Sequence, residues 1–255
     1  MKHQRDIIVK PLLFILLGVA FAIGTGCSQE KNPLIVYAGK GLNRPIEEIR
    51  LSFERRHKIP LTIVYAGSNT LLTTIRKTKM GDIFIPDSVE YIKNAKQLVT
   101  TSRYIANHIP AFIVRTDNSK RLQSFADLMQ ERVKIAVGNK SMTAIGRITE
   151  KIIAASDQPE SFRRNIVVTG STVNELLQLV VSREVDAALL WEDMLQWPEA
   201  KGLQLVTIPD TINHPETISV AVLATSTNPE KAALLANFVA TEGKEIFAKH
   251  GFRVK

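Results

Sequence analysis

Two apolar rhythms alternate from Pro33 onward, one suited to strands and one to helices. The run Leu34-Ile35-Val36-Tyr37 predicts a strand. Pro45 suits a first helical turn, where its missing N–H is not needed, and Ile46, Ile49 and Phe53 then fall on one helical face. A second strand is predicted over 61–65 and a helix over about 70–77. A third strand over 83–85 is followed by a helix over 89–98. The series then restarts: strand 111–114, short helix 125–129, strand 133–137, helix 144–155 and strand 166–168. Thr172 and Glu175 have the spacing of a capping box opening the next helix. Strands at 187–190, 203–208 and 218–223 precede a helical tail over about 229–249. Alternation of this kind predicts an α/β protein with mostly parallel sheets flanked by helices. Two series predict two similar lobes.

The first 26 residues follow a different pattern. Lys2, Arg5 and Lys10 precede an apolar run from Leu12 to Ile23, then the small residues Gly24-Thr25-Gly26. This is the order of a secretory signal peptide, and the run falls short of the roughly 20 residues a membrane-spanning helix needs. Cys27, the one cysteine of the chain, comes next. The arrangement resembles the lipobox of bacterial lipoproteins, with Gly24 where that motif usually has Leu. The resemblance implies cleavage before Cys27, acylation of its thiol, and residues 27–32 as a short tether to a membrane.

Losing Lys2, Arg5, Lys10 and Asp6 with the leader lowers the formal charge from +8 to +6. The remaining basic residues fall in pairs such as Arg55-Arg56 and Arg163-Arg164 among apolar positions, the pattern of solvated helix faces. No basic cluster is interleaved with aromatics, so nucleic acid is not an expected partner. Aromatics at 6% leave few platforms for stacking sugars. With Cys27 acylated no disulfide can form, and stability must come from core burial.

In open α/β sheets ligands sit beyond the carboxyl ends of the strands. That rule selects the loops 39–43, 67–70, 139–143 and 170–173, each leading into a helix N-terminus. Helix N-termini carry unpaired N–H groups and partial positive charge, so several converging can hold an anion. Gly39 and Gly41 permit close backbone approach, and Ser68 and Asn69 add side-chain donors. Taken singly, such Gly and Ser positions are ordinary caps and turns. Their repetition at equivalent places is the signal.

Catalytic constellations are absent from the pattern. There is no GxSxG elbow and no HExxH, and the five histidines are dispersed. His57 among Arg55, Arg56 and Lys58 reads as a solvated helix end. Asp82 before the third strand reads as structural. Glu192 and Asp193 end a strand near the expected cleft, where loop solvation is the commoner role for adjacent acids.

The segments 36–42, 66–71, 81–85, 136–138, 186–193 and 245–252 stand in the order found in the molybdate-binding component of ABC transporters, and the mature chain resembles that family nearly throughout. The resemblance implies a two-lobed type II periplasmic binding protein fold with a two-segment hinge. Lobe 1 would comprise residues 33–108 and 212–255, and lobe 2 residues 109–211. It further implies a lipid-anchored periplasmic or cell-surface monomer that is not an enzyme and has no cofactor. Such a protein closes on molybdate or tungstate and delivers it to an inner-membrane ABC permease. The expected ligand contacts are Gly39, Lys40, Gly41, Ser68, Ala144, Val173, Trp191 and Glu192. Ser68 matches a ligand serine, and Ala144 and Val173 match donors of backbone N–H. Gly41 replaces the family's serine, with Lys40 beside it as a substitute charge, and Trp191 replaces its tyrosine. Glu192 would repel the ligand, point away or coordinate a metallate centre, and coordination is the expectation taken. Another small anionic solute, or a ligand-sensing module, is the alternative reading.

Overall fold

The computed structural model describes residues 32–255. The leader 1–26, Cys27 and nearly all of the tether lie outside the described residues.

Eighteen strands and α-helices follow in order among the described residues. They are β1 (Leu34–Gly39), α1 (Asn43–His57), β2 (Leu61–Ala66), α2 (Ser68–Thr78), β3 (Ile83–Ile85), α3 (Val89–Asn94), β4 (Val99–His108) and β5 (Pro110–Arg115). Then come β6 (Ile135–Gly138), α4 (Ala144–Ala155), α5 (Pro159–Asn165), β7 (Ile166–Gly170), α6 (Val173–Val181) and β8 (Ala187–Trp191). Last are β9 (Leu203–Val206), β10 (Glu216–Leu223), α7 (Pro229–Ala240) and α8 (Glu242–Lys249).

The strands form two five-stranded sheets, ordered β2-β1-β3-β10-β4 and β7-β6-β8-β5-β9. This is the two-lobed α/β architecture, but the sheets are mixed rather than mostly parallel. In the first, β1 runs parallel to β2 and β3, whereas β10 is antiparallel to both its neighbours. In the second, β6 runs parallel to β7 and β8, and β5 is antiparallel to both its neighbours. The reversed strand in each sheet is the one arriving from the other lobe. It starts at the cleft, where the parallel strands end, so it must run against them.

Period-two side-chain alternation organises the packing of β1. Leu34, Val36 and Ala38 face a core shared with Ile49 and Phe53 of α1, Leu235 and Phe238 of α7 and Phe247 of α8. Tyr37 turns to the other face, among Leu72 and Ile75 of α2 and Ile92 of α3. That second core continues into the sheet of the other lobe. Central strands β3, β6 and β8 are buried throughout, while β2 and β7 alternate because each has only one covered flank.

Three elements differ from the sequence expectation. Strand β4 was not anticipated, because Thr100-Thr101-Ser102-Arg103 is polar, as suits an exposed edge. Helix α5 was also unexpected, being a single short helix opened by Pro159. The tail is two helices, broken at Thr241, whose φ of −112° and ψ of −88° are not helical. The capping box is half realised. The Thr172 hydroxyl accepts from Glu175 N at 3.3 Å, but the Glu175 carboxylate reaches back to Ser171 N at 2.7 Å.

Asp82 has the structural role assigned to it. Its carboxylate accepts from Ile35 N at 2.8 Å and from Ser226 Oγ at 2.6 Å, tying β1 to the turn after β10. Asp82→Ala leaves a partly buried N–H and a partly buried hydroxyl without this partner, which should cost about 1 kcal/mol each, the low end for an unmade bond. Urea unfolding should therefore show a lower midpoint with an unchanged slope. A midpoint equal to that of the wild type would refute this role.

Candidate functional site

The carboxyl ends of β1, β2, β3, β7 and β8 deliver the residues that meet at the junction of the lobes. Ser68 opens α2 and is fully buried. Its hydroxyl donates to Asp87 Oδ2 at 2.8 Å and accepts from Asp87 N at 3.0 Å. The Asp87 carboxylate lies against the first-loop glycines. A methyl group at Gly39 would stand 2.4–2.5 Å from its atoms, so only glycine permits this approach. A methyl at Gly41 would stand 3.1 Å from Asp87 Oδ1, 3.3 Å from Val173 Cγ2 and 3.6 Å from Trp191 Cδ1. Gly41 thus marks the point where the first loop, Asp87, the start of α6 and the end of β8 converge.

Trp191 is fully buried and stacks on His108, with ring centroids 3.7 Å apart and planes 14° from parallel. His108 ends β4, and its Nε2 lies 3.0 Å from Asp193 Oδ1, out of line for a hydrogen bond. Burial pushes the Asp87 carboxyl above its ordinary range. The His108 charge and the Ser68 hydroxyl pull it down, and Asp193 pushes it up again. Several buried polar atoms here have no hydrogen-bond partner in the protein: Asp87 Oδ1, Trp191 Nε1, both His108 nitrogens and Asp193 Oδ2. Buried polar groups are paired in the great majority of cases, so this concentration makes the junction the candidate site. Among the described residues, no three His, Cys, Asp or Glu side chains are disposed to hold a metal ion.

The lobes touch across this point. Asn69 N donates to the Met142 carbonyl at 3.1 Å, and the Asn69 side chain reaches the Ser141 carbonyl. On one side Arg147 of α4 donates to Tyr91 at 3.1 Å, its guanidinium 4.4 Å from the Tyr91 ring. On another, Arg44 of α1 pairs with Glu199 and lies 4.8 Å from the Trp197 ring.

Of the residues singled out in the sequence, Gly39, Gly41, Ser68, Val173 and Trp191 are brought together. Ala144 opens α4 two residues after Met142, the residue facing Gly67, and Thr143 caps that helix. Lys40 is directed elsewhere, its Nζ 5.5 Å from the Tyr65 ring. Glu192 is likewise drawn off: both carboxylate oxygens accept from Arg253, at 2.9 and 2.7 Å. The acids at the junction are instead Asp87 and Asp193. Sequence reasoning overlooked Asp87 although it follows β3, and the carboxyl-end rule applied to the first two strands applies equally to the third.

Comparison with known proteins agrees with this architecture. Residues 34–253 match the family described as bacterial extracellular solute-binding protein, and the chain belongs to that family. A relative from Haemophilus influenzae, named "Putative binding protein", is 27% identical over 240 residues, covering 93% of this chain and 97% of its own. Among the solved structures that share the fold are two named for molybdenum transport and sulfate binding. The "substrate binding domain of putative molybdenum ABC transporter" from Clostridium difficile has a TM-score of 0.68 at 21% identity, covering 88% of this chain and 99% of that one. The sulfate-binding protein SubI from Mycobacterium tuberculosis has a TM-score of 0.74 at 16% identity, covering 87% and 86%. The protein is therefore an extracellular solute-binding protein, periplasmic or at the cell surface, a binding protein and not an enzyme. No helix among the described residues is long and apolar enough to cross a membrane.

Proposed function

We propose that this protein binds a small oxyanion between its lobes and presents the closed form to an ABC permease. The supporting observation is the buried junction at Gly41. There, the start of α6 and the first-loop glycines converge with Ser68 at the start of α2, beside the unpaired indole N–H of Trp191. Backbone N–H groups at helix starts and an indole N–H are donors only, and donors converging in a dry site suit an anion with several acceptor oxygens. The division into lobe 1 (33–108 and 212–255) and lobe 2 (109–211) places each donor set on a separate body. Ligand contacts from both then favour closure. Cys27 is the lipid attachment point in this reading. Molybdate and tungstate belong to the ligand class, as do sulfate and phosphate.

Full-length protein in detergent, screened by thermal melting against molybdate, tungstate, sulfate and phosphate, tests the reading. A ligand binding only the folded state raises the melting temperature, by about 2.7 kcal/mol of added stability at 100 times its dissociation constant. Absence of a shift with all four anions would reject it. Glu192→Gln should leave affinity for the binding anion within about fivefold, because a partly exposed ion pair with Arg253 contributes at most about 1 kcal/mol. A tenfold or greater change in a calorimetric titration would place Glu192 on the ligand after all.

A further inference from the structure

We infer that the rim of lobe 1 farthest from the cleft is a membrane-facing surface, held against the anionic headgroups of the bilayer that carries the lipid anchor. The inference goes beyond ligand binding and rests on the reading of Cys27 as the lipid attachment point.

The sheet of lobe 1 sets one rim opposite the cleft. Strands β1, β2 and β3 are parallel, with Leu34 beside Leu61 and Val36 beside Ile83. Strand β4 starts at Val99, beside Leu223 at the end of β10. The entries to β1, β2, β3 and β4 therefore share one rim, and their carboxyl ends lie at the junction of the lobes. From Cys27 the chain reaches this rim in seven peptide steps, 27 to 34, at most about 25 Å when fully extended. In the sheet β1 lies between β2 and β3. Lys58, in the turn entering β2, and Lys79, in the turn entering β3, thus flank the tether. Lys96 stands in the turn entering β4.

That rim is cationic without internal compensation. Lys58, Lys79 and Lys96 are exposed, as are Arg76 and Lys77 in the last turn of α2. Among the described residues none of these has a carboxylate within ion-pairing distance. The nearby acids are engaged. Asp82 is buried on Ile35 N and Ser226, Glu54 is held by Arg50 and Leu61 N, and Glu90 pairs with Lys93. Glu230 is exposed at the start of α7, and the cations outnumber it. Arg76, Lys79 and Lys96 line one groove of about 610 Å³ whose other walls are uncharged, a shape that admits phosphate oxygens. Beside it Met80 is 56% exposed, an apolar tip suited to the boundary between headgroups and acyl chains. Attraction of basic residues to an anionic bilayer acts within about a Debye length, roughly 8 Å at physiological salt. The short tether keeps the rim in that neighbourhood, so a few lysines suffice to orient the protein. Lobe 2 has cations on its own far rim, such as Arg132 and Lys134, but all of lobe 1 separates them from the tether. An acidic protein surface would attract the same lysines, yet only the bilayer is brought to them by the chain itself. With this rim on the bilayer, the cleft faces away from it, one lobe above the surface and open to solute.

Full-length processed protein, reconstituted in vesicles of phosphatidylcholine alone or with about 30% phosphatidylglycerol, tests this. With Cys27 acylated, Met80→Cys supplies a single free thiol for a fluorophore, and Lys201→Cys supplies one on the far rim of lobe 2. A nitroxide on the lipid headgroups is the quencher. At about 0.05 M salt the label at position 80 should be quenched at least about twofold more in the anionic vesicles than in the neutral ones, and about 0.5 M salt should erase the difference. Lys79→Glu combined with Lys96→Glu should erase it at low salt as well. The label at position 201 should be unquenched in both. Should the charge-reversed variant not fold, the salt series alone decides. Three results would overturn the inference: equal quenching at position 80 in the two vesicles at low salt, quenching there unmoved by charge reversal, or stronger quenching at position 201. Each leaves the anchor standing, because the protein still floats with the vesicles. Failure to float with vesicles of either composition would overturn the anchor reading and this inference together, leaving ligand binding to its own melting test.

Discussion

Gly67→Ala should weaken ligand binding about 5- to 150-fold while leaving the fold as stable as before. The backbone at Gly67 is extended, with φ −63° and ψ 142°, so alanine meets no local strain. The obstacle lies on the other lobe. A methyl group there would stand 2.6 Å from the Met142 carbonyl oxygen and 3.2 Å from that of Ser171. Neither is the tip of a flexible side chain, so the lobes must part to admit it. Overfilling a packed contact costs about 1–3 kcal/mol, and here the cost falls on closure alone. Stability of the open form should be unchanged or raised by about 0.4–1 kcal/mol, because alanine restricts the unfolded chain. Opposite signs in two assays of one variant, affinity by calorimetry and stability by urea unfolding, distinguish this from general damage. Affinity equal to that of the wild type would show that ligand binding does not bring Gly67 to Met142.

Trp191→Ala should lower stability by about 3–5 kcal/mol, since it empties a fully buried site and removes the ring stacked on His108. For a chain of this size that corresponds to a melting temperature lower by about 6–20 °C. Trp191→Phe keeps a ring over His108 and should cost less than half as much. It nevertheless loses the indole N–H, so its ligand affinity should fall while most of the stability remains. If the phenylalanine variant binds anion as tightly as wild type, the unpaired Nε1 is not a ligand donor. Melting curves with and without anion give both quantities.

The outline of these lobes was legible because their parallel strands and covering helices bury regular stripes. Ile46, Ile49 and Phe53 of α1, or the apolar run of β8, can be read locally. Strand direction cannot. Nothing in Pro110-Ala111-Phe112 or Ile218-Ser219-Val220 distinguishes an antiparallel partner from a parallel one, since pairing is decided by where the chain comes from. Strand β4 escaped notice for another reason: an edge strand with an exposed flank has little apolar signature. At the site, the loop glycines, Ser68, Val173 and Trp191 were accessible through a positional rule about strand ends. Asp87, His108 and Asp193 come from three distant segments and are united only by tertiary packing. The family resemblance instead drew attention to Lys40 and Glu192, whose partners Tyr65 and Arg253 are remote in sequence.

Strand β4 ends at His108 and β5 begins at Pro110, leaving Ile109 alone between the lobes. The returning segment runs beside this passage: Asn213 donates to the Pro110 carbonyl at 3.1 Å, and Glu216 pairs with His108 across the sheet. The two crossings are thus adjacent, as the expected two-segment hinge requires. Strand β2, which delivers Gly67, is at the far edge of its sheet, four strands from β4. If those crossings are the hinge, one rotation shifts the Trp191–His108 stack beside them less than it shifts Gly67. Indole emission will be a poor ruler of opening. A pair of labels at Asn69 and Ser141, on the long arm, will be a sensitive one.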